Sequence, residues 1–297
     1  MQPSTRPRSL EIGVALFFLG FSLAVFAAPF SVVDDRGVAV VFDTPPQRVV
    51  SLLPSLTESV CALGKCNALV GIDRFSNWPK SIQNLPKLGG MGDVNIERIV
   101  QLKPDVVLLE KASPVIARLN SLGIQTFVLD IKSMGDEERA LKKLDAVLGT
   151  TESSRVWHQI QKEIMRANKQ LSSREKNIRV YFEVNPAPYA AGRNSFIGEI
   201  LSQLNLINII PESLGPFPKI NPEFVVQAKP DVILLTESTP ADIERRPGWK
   251  AIPAVMRNSI CTFTADQNDV LVRPGPRMGE AALLISQCIQ EKMSSSR

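Results

Sequence analysis

The chain has 297 residues, of which 44% are hydrophobic, 6% aromatic and 22% charged, with a formal net charge of +4. That length suits two ordinary domains with a sizeable core, and a charge so mild and so evenly mixed leaves no footprint for nucleic acid. A single histidine, His158, excludes a His-rich metal site, and excludes any Ser-His-Asp mechanism that does not use His158 itself as the base.

Arg6 and Arg8 precede the uncharged run "IGVALFFLGFSLAVFAA". A basic start, a short apolar stretch and small residues at the end predict a cleavable signal peptide over residues 1–27, with the cut after Ala27 or Ala28 and the mature protein in the periplasm. The run stops short of the ~20 apolar residues of a spanning helix. The mature chain keeps 32 basic and 29 acidic residues, a formal charge of +3.

"FSVVDDRGVAVVFDTPPQ" predicts a β-hairpin turning at Asp35–Gly37. "RVVSLLP" follows as a buried strand and "SLTESVCALG" as a helix, capped near Ser55 or Thr57 and closed by Gly64. Strands "ALVGID" and "IQTFVLD" then alternate with helices "PVIARLNSLG" and "GDEERALKKLDAVLG", the pattern of an α/β lobe with a mainly parallel sheet. In "ESSRVWHQIQKEIMRANKQLSS", Val156, Ile160, Ile164, Ala167 and Leu171 make one stripe of a long helix, with Trp157 and His158 off it. The α/β alternation then restarts with the strand "IRVYFEV" and the helix "FIGEILSQLNL"; "SICTFTAD" reads as extended and "RMGEAALLISQCIQEKM" as the last helix. The predicted organisation is an α/β lobe over 28–150, a linking helix over 151–174 and a similar α/β lobe over 175–297, with a ligand cleft between the lobes.

Four cysteines in an exported chain invite pairing. Cys61 and Cys66 are near neighbours in "CALGKC", while Cys261 sits in a strand and Cys288 in the last helix. The local pairs Cys61–Cys66 and Cys261–Cys288 are preferred among three connectivities, with free buried thiols as the alternative. No CxxC is present, and no metal site is expected.

"NIERIVQLKPDVVLL" from Asn95 is answered by "NPEFVVQAKPDVILL" from Asn221, with ten of fifteen positions identical at an offset of 126. Each copy reads as an Asn-capped short helix, a proline stop and a buried strand, with Glu97 or Glu223 in the first helical turn. An acid there interacts favourably with the helix dipole, so scaffold alone accounts for it. Two matched exposed acids could equally be read by a partner with two matched basic pockets. Asp105 and Asp231 are expected to serve the turn into the strand.

Together with "RVVSLLPSLTE", "LVGIDRFSNWP", the long linking helix and "VRPGPR", this repeat resembles the class III, helical-backbone periplasmic substrate-binding proteins that feed ABC importers, nearest the cobalamin-binding branch. The resemblance covers nearly the whole mature chain. It implies a non-catalytic monomeric receptor for cobalamin or another corrinoid, with ferric siderophore or haem as alternative cargo, and no cofactor of its own. It implies that Glu97 and Glu223 each meet one subunit of an inner-membrane permease dimer. It puts Ser55, Phe75, Tyr189, Phe217, Asp266 and Arg273 at ligand-contacting positions, with Trp78, Met91 and Arg193 as neighbours. Arg277 would either cap the last helix or touch ligand. Where cobalamin binders can show tryptophans, this chain has Met91, Glu110 and Phe217. The alternative of another class is an exported dinucleotide-dependent enzyme using the Gly-rich "LGGMGDVNIE", which lacks the GxGxxG spacing.

Overall fold

The computed structural model describes residues 28–295, so the signal peptide expected over residues 1–27 lies outside the described residues. The hairpin strands β1 (Phe30–Val33) and β2 (Ala39–Phe42) pair antiparallel around a turn in which Gly37 holds φ 82°. The first half continues through β3 (Val49–Ser51), α1 (Pro54–Ala62), β4 (Leu69–Ile72), α2 (Ile96–Leu102), β5 (Val106–Glu110), α3 (Ile116–Ser121), β6 (Thr126–Leu129) and α4 (Met134–Leu148). The helix α5 (Ser153–Gln170) leads to the second half. There follow β7 (Arg179–Asn185), β8 (Tyr189–Ala190), α6 (Phe196–Gln203), β9 (Ile207–Asn208), α7 (Pro222–Ala228), β10 (Val232–Leu235), α8 (Pro240–Arg245), α9 (Pro253–Met256), β11 (Ile260–Thr262), α10 (Ala265–Val272) and α11 (Met278–Ser295).

The first sheet runs in the order β4-β3-β5-β6, all parallel. The second repeats that order with β9-β7-β10-β11, again all parallel, and adds β8 antiparallel beside the end of β7. The internal repeat thus falls on equivalent elements, α2 with β5 and α7 with β10.

The duplicated polar positions build the same joint twice. Asn95 caps α2 by accepting from the Arg98 amide, and Asn221 caps α7 by accepting from the Glu223 amide. Each helix ends on a left-handed lysine, Lys103 or Lys229, ahead of its proline. Arg48 Nη2 donates to the Leu102 carbonyl at 2.6 Å, and Arg179 Nε to the Ala228 carbonyl at 3.0 Å. Asp105 accepts from the Gln47 and Arg48 amides, as Asp231 does from the Arg179 amide. These bonds satisfy carbonyls and amides left free at helix ends and strand starts.

Successive strand residues point to opposite faces, and the core divides accordingly. Val106 and Leu108, like Val232 and Leu234, face one cluster that runs from sheet to sheet through Leu56, Leu144, Ile160 and Ile285. Val107 and Leu109 pack outward with Ile99 and Leu119, while Ile233 and Leu235 pack with Val225 and Trp249. The two halves therefore share one interior. The stripe of α5 is buried along its length, and His158 is exposed. Helix α11 lies against α5: Ser286 Oγ donates to the Ala167 carbonyl at 2.9 Å, and a side chain at Gly279 would sit 3.1 Å from the Ile160 carbonyl oxygen.

The cysteines pair as Cys61–Cys66 and Cys261–Cys288, the second tying β11 to α11. Two sequence expectations change. Helix α1 starts at Pro54 with no side-chain cap, so Ser55 and Thr57 lie inside it and are buried. The stretch read as extended through "SICTFTAD" stops at Thr262, and Ala265 and Asp266 open the helix α10, capped by Thr264 and Gln267 in a reciprocal capping box.

Candidate ligand cleft

In parallel α/β sheets, ligands sit beyond the carboxyl ends of the strands. A cavity of about 500 Å³ occupies that place at the first sheet. Its wall takes Leu53, Pro54 and Ser55 from the end of β3, Phe75 from beyond β4, Glu110 from the end of β5, and Asp130, Ile131 and Lys132 from beyond β6. The second half closes it with Phe196, Phe217, Asp269 and Arg273. A smaller cavity of about 110 Å³ adjoins it across Leu53, Pro54, Phe75 and Glu110, and adds Met91 and Val94.

The loop that presents Phe75 is held from below. Asp73 is 2% exposed and accepts from the Phe75 amide at 2.7 Å and the Ser76 amide at 3.1 Å. Ser76, Thr57 and Ser51 form a chain of hydroxyls at 2.9 Å steps that joins this loop to α1 and β3. Burial pushes the Asp73 carboxyl upward against those bonds. With its loop fixed, Phe75 stands 60% exposed at the cavity, a large apolar surface presented to solvent. Gly89, on the next turn, holds φ 94°, and a Cβ there would meet the Asp93 carbonyl oxygen at 2.2 Å. The Gly-rich stretch is thus a tight turn well beyond β4, not a phosphate cradle directly after a first strand.

Arg273 is the tie between the halves. Its Nη1 donates to Glu58 Oε1 at 3.0 Å and Asn77 Oδ1 at 2.8 Å, and its Nη2 to the Phe75 carbonyl at 3.1 Å. Asp269 Oδ1 lies 2.7 Å from Nη2. Glu58 also accepts from Arg277 Nε at 2.8 Å and Nη2 at 2.7 Å, and the Arg277 guanidinium covers the Trp78 ring at 5.2 Å. Arg273 therefore lines the cavity with both of its terminal nitrogens already engaged.

Helix α4 sets the far wall. Ser133 accepts from the Asp136 amide at 3.1 Å, and Asp136 accepts from the amides of Lys132 and Ser133, each at 3.0 Å. These bonds, with the Arg139 guanidinium, hold the Asp136 carboxyl down at about 2 although partial burial works the other way. Lys132 Nζ reaches Asp130 at 3.0 Å. Glu110 stands apart: burial and then Asp130 raise its pKa, Lys132 opposes, and its Oε1 is buried with no hydrogen-bond partner among the described residues.

Of the residues singled out from sequence, Ser55, Phe75, Phe217 and Arg273 come together on the main cavity, and Met91 on the adjoining one. Trp78 and Asp266 line a separate groove of about 240 Å³ with Arg277 and Glu280. Tyr189 is exposed on β8, and Arg193 donates to the Asn208 carbonyl at 3.0 Å; neither lines any of these three spaces. Asp130, Lys132, Phe196 and Asp269 were not singled out. The carboxyl-end rule would have found the first two, and the T-x-x-Q capping box at Thr264 would have put Asp269 and Arg273 one helical turn apart. Glu97 and Glu223 are exposed at the starts of α2 and α7.

Residues 49–266 match the family model described as "Periplasmic binding protein". The ABC transporter substrate-binding lipoprotein YvrC of Bacillus subtilis (strain 168) is 29% identical over 280 residues, spanning 88% of this chain and 85% of that protein. The vitamin B12-binding protein of Vibrio cholerae serotype O1 is 25% identical over 274 residues, spanning 90% and 93%. Among solved structures, the periplasmic haem-binding protein RhuT from Roseiflexus sp. RS-1 superposes with a TM-score of 0.70 at 23% identity, over 84% of this chain and 99% of that one. Among the described residues no helix is long and apolar enough to cross a membrane.

Proposed function

The chain belongs to the periplasmic binding protein family, and from that premise we propose that it captures cobalamin or a related corrinoid and delivers it to an ABC importer. The observation that carries this reading is the cavity walled by both halves, with the exposed Phe75 ring on one side and Phe196 and Phe217 on the other. A rigid macrocycle buries its flat faces on such aromatic walls and keeps its polar rim for a few anchoring groups. The B12-binding relative supports the cargo class. Haem is the second reading, favoured by the fold of the RhuT neighbour. Haem iron is commonly held by a His or Tyr ligand, and the exposed Tyr189 stands off the cavity, which weighs against that reading.

Capture involves limited closure, because the halves share one apolar cluster and the paired helices α5 and α11. Glu97 and Glu223, on equivalent helices of the two sheets, would present the same acid to each half of a twofold permease. Such pairs add little energy singly but set register and speed encounter.

Calorimetric titration with cyanocobalamin, haemin and a ferric siderophore tests the assignment. One-to-one binding of cyanocobalamin at micromolar strength or tighter, about −8 kcal/mol, is expected. Heat with haemin or the iron chelate alone moves the cargo to that class, and silence with all three overturns the receptor reading.

A further inference from the structure

We propose that Glu110 selects the cargo by its rim, accepting a hydrogen bond from an uncharged N–H donor such as a side-chain amide and turning away carboxylate-bearing macrocycles; this rests on the receptor reading above.

The charges around the cavity are matched except at this residue. Asp130 is paired with Lys132 at 3.0 Å, and Asp269 with Arg273 at 2.7 Å, while Arg273 is further committed to Glu58. Glu110 forms no ion pair among the described residues, and its buried Oε1 accepts nothing. A buried acceptor left unpaired costs free energy that a ligand recovers by supplying a donor. Ser55 is likewise unmatched on the same wall: it is 2% exposed, and its Oγ has no hydrogen-bond partner among the described residues.

The two open groups ask for a donor and for a group that a hydroxyl can meet, which a primary amide provides in one unit. A ligand carboxylate would instead face Glu110 with every lining cation already holding an acid. Repulsion inside a partly desolvated site is a strong device for refusing the wrong ligand.

The test uses matched pairs at pH 7.5, with wild-type protein and Glu110→Gln, whose retained fold is checked by thermal unfolding. One pair is cyanocobalamin and the monocarboxylic acids made by hydrolysing one of its side-chain amides. The other is haemin dimethyl ester and haemin. In the wild type the uncharged member should bind at least about tenfold more tightly than the charged one, for at least one acid. In Glu110→Gln that ratio should fall to within about threefold, mainly because the charged member gains. Ratios already within about threefold in the wild type, or unchanged in the variant, overturn the proposal. If cyanocobalamin binds without discrimination, the receptor reading stands and the Glu110 assignment falls. If only the porphyrin pair binds and discriminates, the assignment stands and the corrinoid reading falls. If neither pair binds, both fall.

Discussion

Arg273 and Glu58 stand 215 positions apart in sequence, yet their side chains meet at 3.0 Å and are only 9% and 3% exposed. The pair ties the end of α10 to α1. Through the bonds of Arg273 to Asn77 and the Phe75 carbonyl it also holds the loop that presents the cavity's exposed ring. Glu58 neutralises Arg277 as well.

Removing one partner of a desolvated ion pair strands the other charge and typically costs about 3–5 kcal/mol. Glu58→Ala, which strands the Arg277 guanidinium and leaves Arg273 with Asp269 as its one carboxylate, is expected to lose that much unfolding free energy in urea titration. A loss under about 1 kcal/mol would mean that water reaches Arg277 and that this side of the tie is not desolvated.

Asp136 and Glu137, neighbours in the first turn of α4, should titrate with opposite effects on stability. Asp136 is held at about 2 against an ordinary 3.8, so its contribution is present above pH 3.8 and is lost as pH falls through about 2. Glu137 is fully buried beside Glu58, and burial raises it well above 4.5. Its burial costs stability as pH climbs above 4.5, where the unfolded chain ionises it and the folded protein does not. Unfolding free energies across pH should therefore show Asp136→Asn converging on the wild type at the acid end. Glu137→Gln should gain on it toward the alkaline end. Curves parallel to the wild type would contradict both assignments.

The exposed acids make a different forecast. Glu97→Lys with Glu223→Lys reverses two first-turn charges, at a helix-dipole cost of about 0.3–1 kcal/mol each. Cargo affinity measured on the purified variant should stay unchanged, while uptake by cells that depend on it should fall to background. Uptake at the wild-type rate would remove these residues from the permease contact.

Much of this was legible because local chemistry repeats. The duplicated Asn, Glu, Lys, Pro and Asp of the two fifteen-residue copies specify caps, left-handed stops and strand-entry turns, each settled within a few residues or by the Arg48 and Arg179 that begin the halves. The α5 stripe was likewise readable from spacing alone. Helix α10 was lost because the strand-forming "SICTF" runs straight into its cap, and because only Val270 and Leu271 of its eight residues are buried. The cavity's charge pattern was readable only in part. Asp130 with Lys132 and Asp269 with Arg273 pair within four residues, whereas Glu110 is left without a partner among the described residues by walls that the two halves bring together. Nothing in the spacing around Glu58 foretells two arginines from the far end of the chain.

The central claim is that a macrocycle seats against Phe75 in the cavity between the halves, and the dissociation constant of cyanocobalamin for Phe75→Ala tests it most directly. Phe75 is 60% exposed, so truncation should leave stability within about 0.5 kcal/mol. The expected result is one-to-one binding that is at least about tenfold weaker than in the wild type. Equal affinity in the two proteins would put the cargo elsewhere and contradict the claim.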